Sequence, residues 1–429
     1  MILTKNNITY TDHSKNANIS TTFITSKQNE LFIVDAKKNG CQNFITSREL
    51  KNNFDFSTIK IIGITGTNGK TTTAAAIYSM LLDLNFKVAL QGTRGFFIND
   101  TKIKKYSLTT PVQLENFSNI QKAVDNKCDF FVMEVSSHSI VQNRIEGLNF
   151  VLRVHTNITQ DHLDYHKTIQ EYIDIKNSFF SNDEPKLINK DDPKIKYKLK
   201  NAFSYGLDNN ATYKVQAYSL TNGINCAIQH FNNMVNVSSS MIGVFNVYNL
   251  TAAIACVHIL TNKPLQEICD TIENFGGVNG RMEIVNNHPL VIVDFAHTPD
   301  GMKKVFDSFI NNNIIVVFGA GGNRDKTKRP LMGQLANDYA KHIIVTSDNP
   351  RFEDPDLIAN DIVSSIADKS KIEIDLNRKS AISKAILMAE KIDKSVVLVL
   401  GKGDEEYQII YDKKMPFSDK KIIKELTHK

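Results

Sequence analysis

The sequence predicts an α/β protein of three domains, and three observations carry that expectation. A chain of 429 residues is longer than one ordinary core can fill. A buried strand, a glycine-rich turn and a helix follow one another from Lys60. After Arg281-Met-Glu an alternation of apolar strands and helix-length spacers begins afresh. The expected domains are therefore 1–59, 60–282 and 283–429.

The elements follow in chain order. The first sixty residues are polar and rich in Asn and Lys, with strand-like runs at Leu31-Phe-Ile-Val and Asn43-Phe-Ile, and read as a small α/β domain. Lys60-Ile-Ile-Gly-Ile-Thr-Gly supplies the strand and turn of the second domain, and a helix is expected from Lys70 to about Asp83. The apolar run Phe130-Phe-Val-Met ends on Glu134-Val-Ser-Ser-His, where a parallel strand delivers its polar residues. In the third domain, strands are expected at 290–293, 314–318, 342–345 and 396–400. Each runs into a polar or glycine-rich cluster, so their C-terminal ends should share one crevice. Internal repeats of solenoid length are not seen.

Composition narrows the function. Hydrophobic residues at 41% and charged residues at 23% suit a soluble globular protein, and no apolar run reaches the ~20 residues of a membrane helix. The N-terminus lacks the pattern of a secretory signal, which predicts a cytoplasmic protein that engages no membrane. Five cysteines without a C-x-x-C pair read as reduced packing residues. A formal charge of +5 is too small to favour nucleic acid but suits anionic small substrates. The lysine-rich stretch 186–200 reads as solvated surface.

Five features point to chemistry. In Gly63-Ile-Thr-Gly-Thr-Asn-Gly-Lys-Thr-Thr, backbone N–H groups can close around phosphate oxygens at a helix N-terminus. Lys70 neutralises charge there, and the Thr71 hydroxyl can ligate Mg²⁺. Gly63 lies one position earlier than the strict G-x-x-x-x-G-K-T spacing, which makes this a variant loop. At helical spacing, Ile169, Tyr172, Ile173, Lys176 and Phe180 share a stripe, so a lysine sits on an apolar face. Lys176 either snorkels to water or is buried with a lowered pKa, as an amine able to take up carbon dioxide and present a carbamate to Mg²⁺. Glu134, at an apolar strand end, needs a cation or donors to compensate its charge, and a second Mg²⁺ would do so. Asn157-Ile-Thr-Gln-Asp-His-Leu-Asp-Tyr-His is dense in metal or phosphate ligands. Arg324, Arg351 and Glu405 come from three strand ends and together suit an amino-acid zwitterion.

With these motifs the chain resembles the Mur ligases, most closely their diaminopimelate-adding members, from about residue 61 to 408. The resemblance rests on Thr65-Gly-Thr-Asn-Gly-Lys-Thr, Leu108-Thr-Thr-Pro, Met133-Glu-Val-Ser-Ser-His, Asp161-His-Leu-Asp-Tyr-His, Gly243-Val-Phe-Asn-Val-Tyr-Asn, Gly280-Arg-Met-Glu, Asp294-Phe-Ala-His-Thr-Pro-Asp, Lys328-Arg-Pro-Leu-Met-Gly, Asp348-Asn-Pro-Arg and Gly401-Lys-Gly-Asp-Glu. It implies a central P-loop ATPase-like domain and a C-terminal Rossmann-like domain, behind an N-terminal domain on the uridine side.

It also implies an ATP-dependent ligase working through an acyl phosphate, with ATP as co-substrate and two Mg²⁺. The substrates would be UDP-N-acetylmuramoyl-L-alanyl-D-glutamate and meso-diaminopimelate, and the enzyme a monomer. Lys70 and Lys176 match catalytic positions. Gly66, Thr67, Asn68, Gly69, Lys70, Thr71 and Thr72 match the ATP phosphate loop, and Asn249, Arg281, Asp294 and His297 its base and ribose contacts. Ser14, Thr109, Thr110, Ser136, Gln142 and Arg144 match muramoyl-substrate positions. Arg324, Asp348, Asn349, Pro350, Arg351, Gly401 and Glu405 match those for diaminopimelate, the arginine of Asp-Asn-Pro-Arg facing the carboxylate that lysine lacks. Thr71, Glu134, His162 and a carbamylated Lys176 match the metal ligands. The chain departs from the family at Asp404, Asn323 and Phe295, where histidine, aspartate and tyrosine are common, and in its shorter N-terminal region.

Overall fold

The computed structural model describes residues 1–26, 28–105 and 108–427. The N-terminal domain is a four-stranded sheet in chain order, Ile2–Lys5, Ile8–Thr11, Thr21–Thr25 and Asn43–Thr46, its first pair antiparallel and the rest parallel. The strand expected at Leu31-Phe-Ile-Val is instead a 3-10 turn, Glu30–Phe32, continuing into a short helix, Ile33–Lys38. A four-residue apolar run has no period, and here Leu31 and Val34 lie exposed while Ala36 packs inward.

The central domain is an eleven-stranded sheet. Its middle holds β1 (Lys60–Thr65), flanked by β2 (Phe130–Glu134) and β3 (Phe150–His155), all parallel. Alternation along β1 sends Ile62 and Ile64 to one face and Ile61 to the other, so both faces need cover. On the first face lie α1 (Lys70–Asp83) and the apolar α2 (Val244–Thr261). The start and end of α1 match the sequence expectation. Although α2 is long and apolar enough by composition to cross a membrane, 61% of it is buried in this core.

The stretch 186–200 is not merely solvated surface. It opens with the strand Lys186–Asn189, which is buried in the central sheet, and Leu187 and Ile188 are packed into the apolar layers on its opposite faces. They hold Lys186 at the strand's start, where its ammonium donates to the carbonyls of Asn182, Lys198 and Lys200 at 2.7, 3.3 and 3.0 Å. Three carbonyl acceptors take the place of water around a buried charge.

The C-terminal domain is a six-stranded sheet. Four parallel strands match the expected runs: β4 (Leu290–Asp294), β5 (Asn313–Phe318), β6 (His342–Val345) and β7 (Ser395–Leu400), in the spatial order β4-β7-β5-β6. Ile292, Val316 and Phe318 face one apolar layer and Val291, Val293, Ile315 and Val317 the other. A two-stranded hairpin, Tyr407–Ile410 with Lys413–Pro416, stands outside this sheet.

Candidate active site

The phosphate loop leaves β1 and enters α1 at Gly69, whose φ of 86° puts it in the left-handed region. A Cβ there would lie 2.3 Å from Asn249 Oδ1, so a larger residue would have to displace the Asn249 side chain as well as adopt the left-handed backbone. The loop is clamped from below: Asn68 N donates to Asn157 Oδ1 at 3.0 Å, and Thr67 N to the Asn157 carbonyl at 2.7 Å. Thr67 Oγ1 shares a hydrogen bond of 3.0 Å with the Tyr172 hydroxyl. The loop is thus fixed before any ligand meets it.

Two lysines meet at one carbonyl. Lys70 Nζ donates to Gly66 O at 2.7 Å and to Thr67 O at 2.8 Å, and Lys176 Nζ donates to Gly66 O at 2.9 Å. Lys176 is 1% exposed, which rules out the snorkelling alternative. Burial, and then the like charge of Lys70, push the Lys176 ammonium well below the ordinary lysine range, while Asp161 pulls the other way. A neutral, nucleophilic amine is the form this setting favours.

Glu134, at the end of β2, is 2% exposed. Its carboxylate accepts from Thr71 Oγ1 at 2.9 Å, Thr93 N at 2.9 Å and Thr93 Oγ1 at 3.2 Å. The His162 ring packs edge-on to His138, and burial outweighs the pull of Asp161 to hold its pKa down to about 4, leaving a neutral imidazole. Among the described residues no cluster of three or more His, Cys, Asp or Glu side chains forms an all-protein metal cage. Mg²⁺ does not need one, because it takes one or two carboxylates together with phosphate oxygens and water. The paired Thr71 hydroxyl and Glu134 carboxylate are hard oxygen donors of that kind.

A cavity of about 370 Å³ joins these groups to the C-terminal domain. Lys70, Thr71, Glu134 and His162 line one side, and Arg324, Asp348, Asn349, Arg351, Gly401 and Glu405 the other. The expected crevice at the strand ends therefore opens directly onto the phosphate loop. Arg351 has φ 53° and is pinned by the hairpin, its N–H donating to Ile409 O at 3.1 Å and its carbonyl accepting from Tyr411 N at 2.8 Å. Its guanidinium donates to Gly322 O at 2.9 Å. Asn349 donates to Glu405 Oε2 at 2.9 Å, and the buried Lys402 reaches both residues, at 3.1 and 2.9 Å. Pro350 packs its carbonyl against Gly322.

The remaining expected residues separate into groups. Thr109 lies in the same cavity and shares a 3.1 Å hydrogen bond with Thr93. Thr110 is buried, donating to Glu134 O and accepting from Ser136 N, both at 2.9 Å, while Arg144 donates to Thr110 O and Gln142 Oε1. Ser14 and Gln142 line a different cavity of about 760 Å³ between the N-terminal and central domains. Asn249 lines a third, of about 330 Å³, behind the phosphate loop. Arg281 and His297 face the first cavity instead, Arg281 lying 4.2 Å over the Phe295 ring. The buried Asp294 carboxylate accepts from Met282 N and Ala296 N, both at 2.7 Å, and so fixes the loops that present Arg281 and His297.

Sequence reasoning missed the other walls of the third cavity, among them Asn189, Asp192, Lys194, Phe245 and Tyr248. Tyr248 lies in the quoted run Gly243-Val-Phe-Asn-Val-Tyr-Asn, one helical turn from Phe245, and that spacing was the available signal.

Fold and cleft together define a three-domain α/β protein whose phosphate loop faces a cationic crevice of a second domain. Residues 64–257 match the Mur ligase middle domain, and residues 280–403 match the Mur ligase glutamate ligase domain. The UDP-N-acetylmuramoyl-L-alanyl-D-glutamate–2,6-diaminopimelate ligase of Wolinella succinogenes is 51% identical over 412 residues, covering 96% of this chain and 94% of its own length. The ligase of the same name from Helicobacter hepaticus is 50% identical, over 94% of this chain and 88% of its own. A solved structure of a ligase of that name has a TM-score of 0.68 at 28% identity, covering 98% of this chain and 94% of that one. The chain belongs to the Mur ligase family.

Proposed function

We propose that this chain is an ATP-dependent ligase that joins meso-diaminopimelate to the D-glutamate of UDP-N-acetylmuramoyl-L-alanyl-D-glutamate. The observation that carries the reading is the single cavity in which Lys70, Thr71 and Glu134 face Arg324, Arg351 and Glu405. The reading takes the first three as phosphoryl-transfer groups and the last three as zwitterion-reading groups, and their sharing one cavity supports it. The near-full-length relatives named for this reaction support the choice of substrates.

In this mechanism the phosphates of ATP lie along Gly66 to Thr72, with its base and ribose toward Asn249 in the cavity behind the loop, while Arg281 and His297 face the phosphates from the first cavity. Asp294 acts on that side by holding the two loops. The muramoyl substrate runs from the cavity at Ser14 and Gln142 past Arg144, Ser136 and Thr110 to Thr109. Its D-glutamate side-chain carboxylate oxygen attacks the γ-phosphorus, the bond to ADP breaks, and Lys70 stabilises the charge on the transferring group. Bound Mg²⁺, held by Thr71, Glu134, His162 and a Lys176 carbamate, would supply further neutralisation of phosphate charge. Arg351 pairs with the distal carboxylate of diaminopimelate, while Arg324 and Glu405, the latter held by Asn349, take the rest of the amino acid together with Asp348 and Gly401. The free amine then attacks the acyl carbon, phosphate leaves, and the amine proton is lost to give the amide. Closure of the cavity keeps water from the acyl phosphate.

The test is co-substrate dependence. ADP release is expected to require the muramoyl dipeptide and to end in amide only with diaminopimelate; equal ATP hydrolysis with neither present refutes the ligase reading.

A further inference from the structure

The phosphate loop belongs to the central domain, yet one of its side chains is held by the C-terminal domain. Asp300 stands in the first turn of the helix Pro299–Asp307, where the helix dipole favours a carboxylate. Its Oδ2 accepts from Asn68 Nδ2 at 2.8 Å and from Thr159 Oγ1 at 3.2 Å, and pairs with Lys304 Nζ at 2.8 Å. Both central-domain partners are fixed on their other sides. The Asn68 carbonyl accepts from Thr156 Oγ1 at 2.6 Å and Asn157 Nδ2 at 3.0 Å, and Thr159 N donates to Thr67 Oγ1 at 2.9 Å. A shift of Asp300 therefore pulls on a rigid loop. Asn68 lines both the cavity at the phosphate loop and the cavity behind it, and Lys304 lines the latter.

We propose that Asp300 is a positioning residue that latches the C-terminal domain to the phosphate loop, through Asn68 and Thr159, in the arrangement that brings the amine-binding loops over the acyl phosphate. The proposal rests on the ligase reading for its kinetic consequence. Its structural consequence, domain docking, does not depend on that reading.

The experiment compares full-length wild type with Asp300→Ala and Asp300→Asn. Small-angle X-ray scattering without substrates should show a larger radius of gyration for the alanine variant. Its kcat for amide formation should fall about tenfold, while the Kd for ATP, measured without the other substrates, stays within about twofold. Asp300→Asn, which keeps a carbonyl acceptor for Asn68, should recover part of both losses. Wild-type scattering and kcat in Asp300→Ala overturn the latch. So does a loss explained wholly by weaker ATP binding with unchanged scattering, which would make Asp300 a nucleotide-site residue. A wild type that forms no amide fails the ligase reading, and the scattering comparison still decides the latch.

Discussion

The two sides of the active cavity are built in different ways. On the central-domain side, the loop from Gly66 to Thr72 is one contiguous segment, held by its own carbonyls and by the strand end at Thr156 and Asn157. On the C-terminal side, Arg324, Arg351 and Glu405 come from separate strand ends: the hairpin pins Arg351, Asn349 and Lys402 hold Glu405, and Arg324 pairs across the cleft with Asp164 at 3.6 Å. The first side is one compact segment and the second a frame assembled from several, to which the proposed reading gives the phosphate and the amino acid respectively. Activation and amine choice should therefore be separable by mutation.

The largest effect is expected at the contiguous side. On the proposed mechanism, Lys70→Ala removes the cation that stabilises the transferring phosphoryl group and should lower kcat roughly a thousandfold, read from ADP release under saturating substrates. Lys176→Ala should follow, at about a hundredfold, the low end for losing one electrostatic group in such a site. If a carbamate is the cause, short-chain carboxylates restore part of the rate; full activity without them removes Lys176 from the mechanism. If Arg351 reads the distal carboxylate as proposed, Arg351→Ala should raise the KM for diaminopimelate about thirtyfold while the KM for ATP stays nearly constant. An equal rise in both constants would break the separation between the two sides.

The smallest effect lies behind Arg351. Glu353 accepts from Arg329 at 3.0 Å and pairs with Lys326 at 3.1 Å, and it also bonds Asn323 N. Burial alone would raise its pKa; the bonds from Arg329, Asn323 and Lys326 outweigh that and bring it from 4.5 to about 2. Because the folded value is the lower one, the stabilisation is present in full above pH 4.5 and is lost as pH falls toward about 2. Glu353→Gln should therefore lower Tm at neutral pH, and the gap to wild type should close as a thermal-melt series approaches pH 2. A gap independent of pH would contradict the assigned pairing.

How much was legible follows the same division. The loop, α1 and the four parallel strands of the C-terminal domain could be read because each is a local pattern with its own period. The Lys176 stripe showed where the lysine faces, but only packing decides between a snorkelling stem and a buried amine. The helix at Ile33–Lys38 was hidden because Leu31-Phe-Ile-Val is too short to show a period. Lys186 was hidden because its ammonium is satisfied by three carbonyls that only the folded chain brings around it. Asn189, Asp192 and Lys194 meet Phe245 and Tyr248 only in three dimensions, so no motif announces the cavity they line. Asp300 could be read as part of a motif, but not as a contact between domains.

Product analysis tests the central claim most directly. With ATP, Mg²⁺ and UDP-N-acetylmuramoyl-L-alanyl-D-glutamate present, mass spectrometry should find the muramoyl tripeptide when meso-diaminopimelate is supplied and little or none when lysine replaces it. Equal product with both amino acids would contradict the role given to Arg351, and ATP turnover without any amide would contradict the ligase itself.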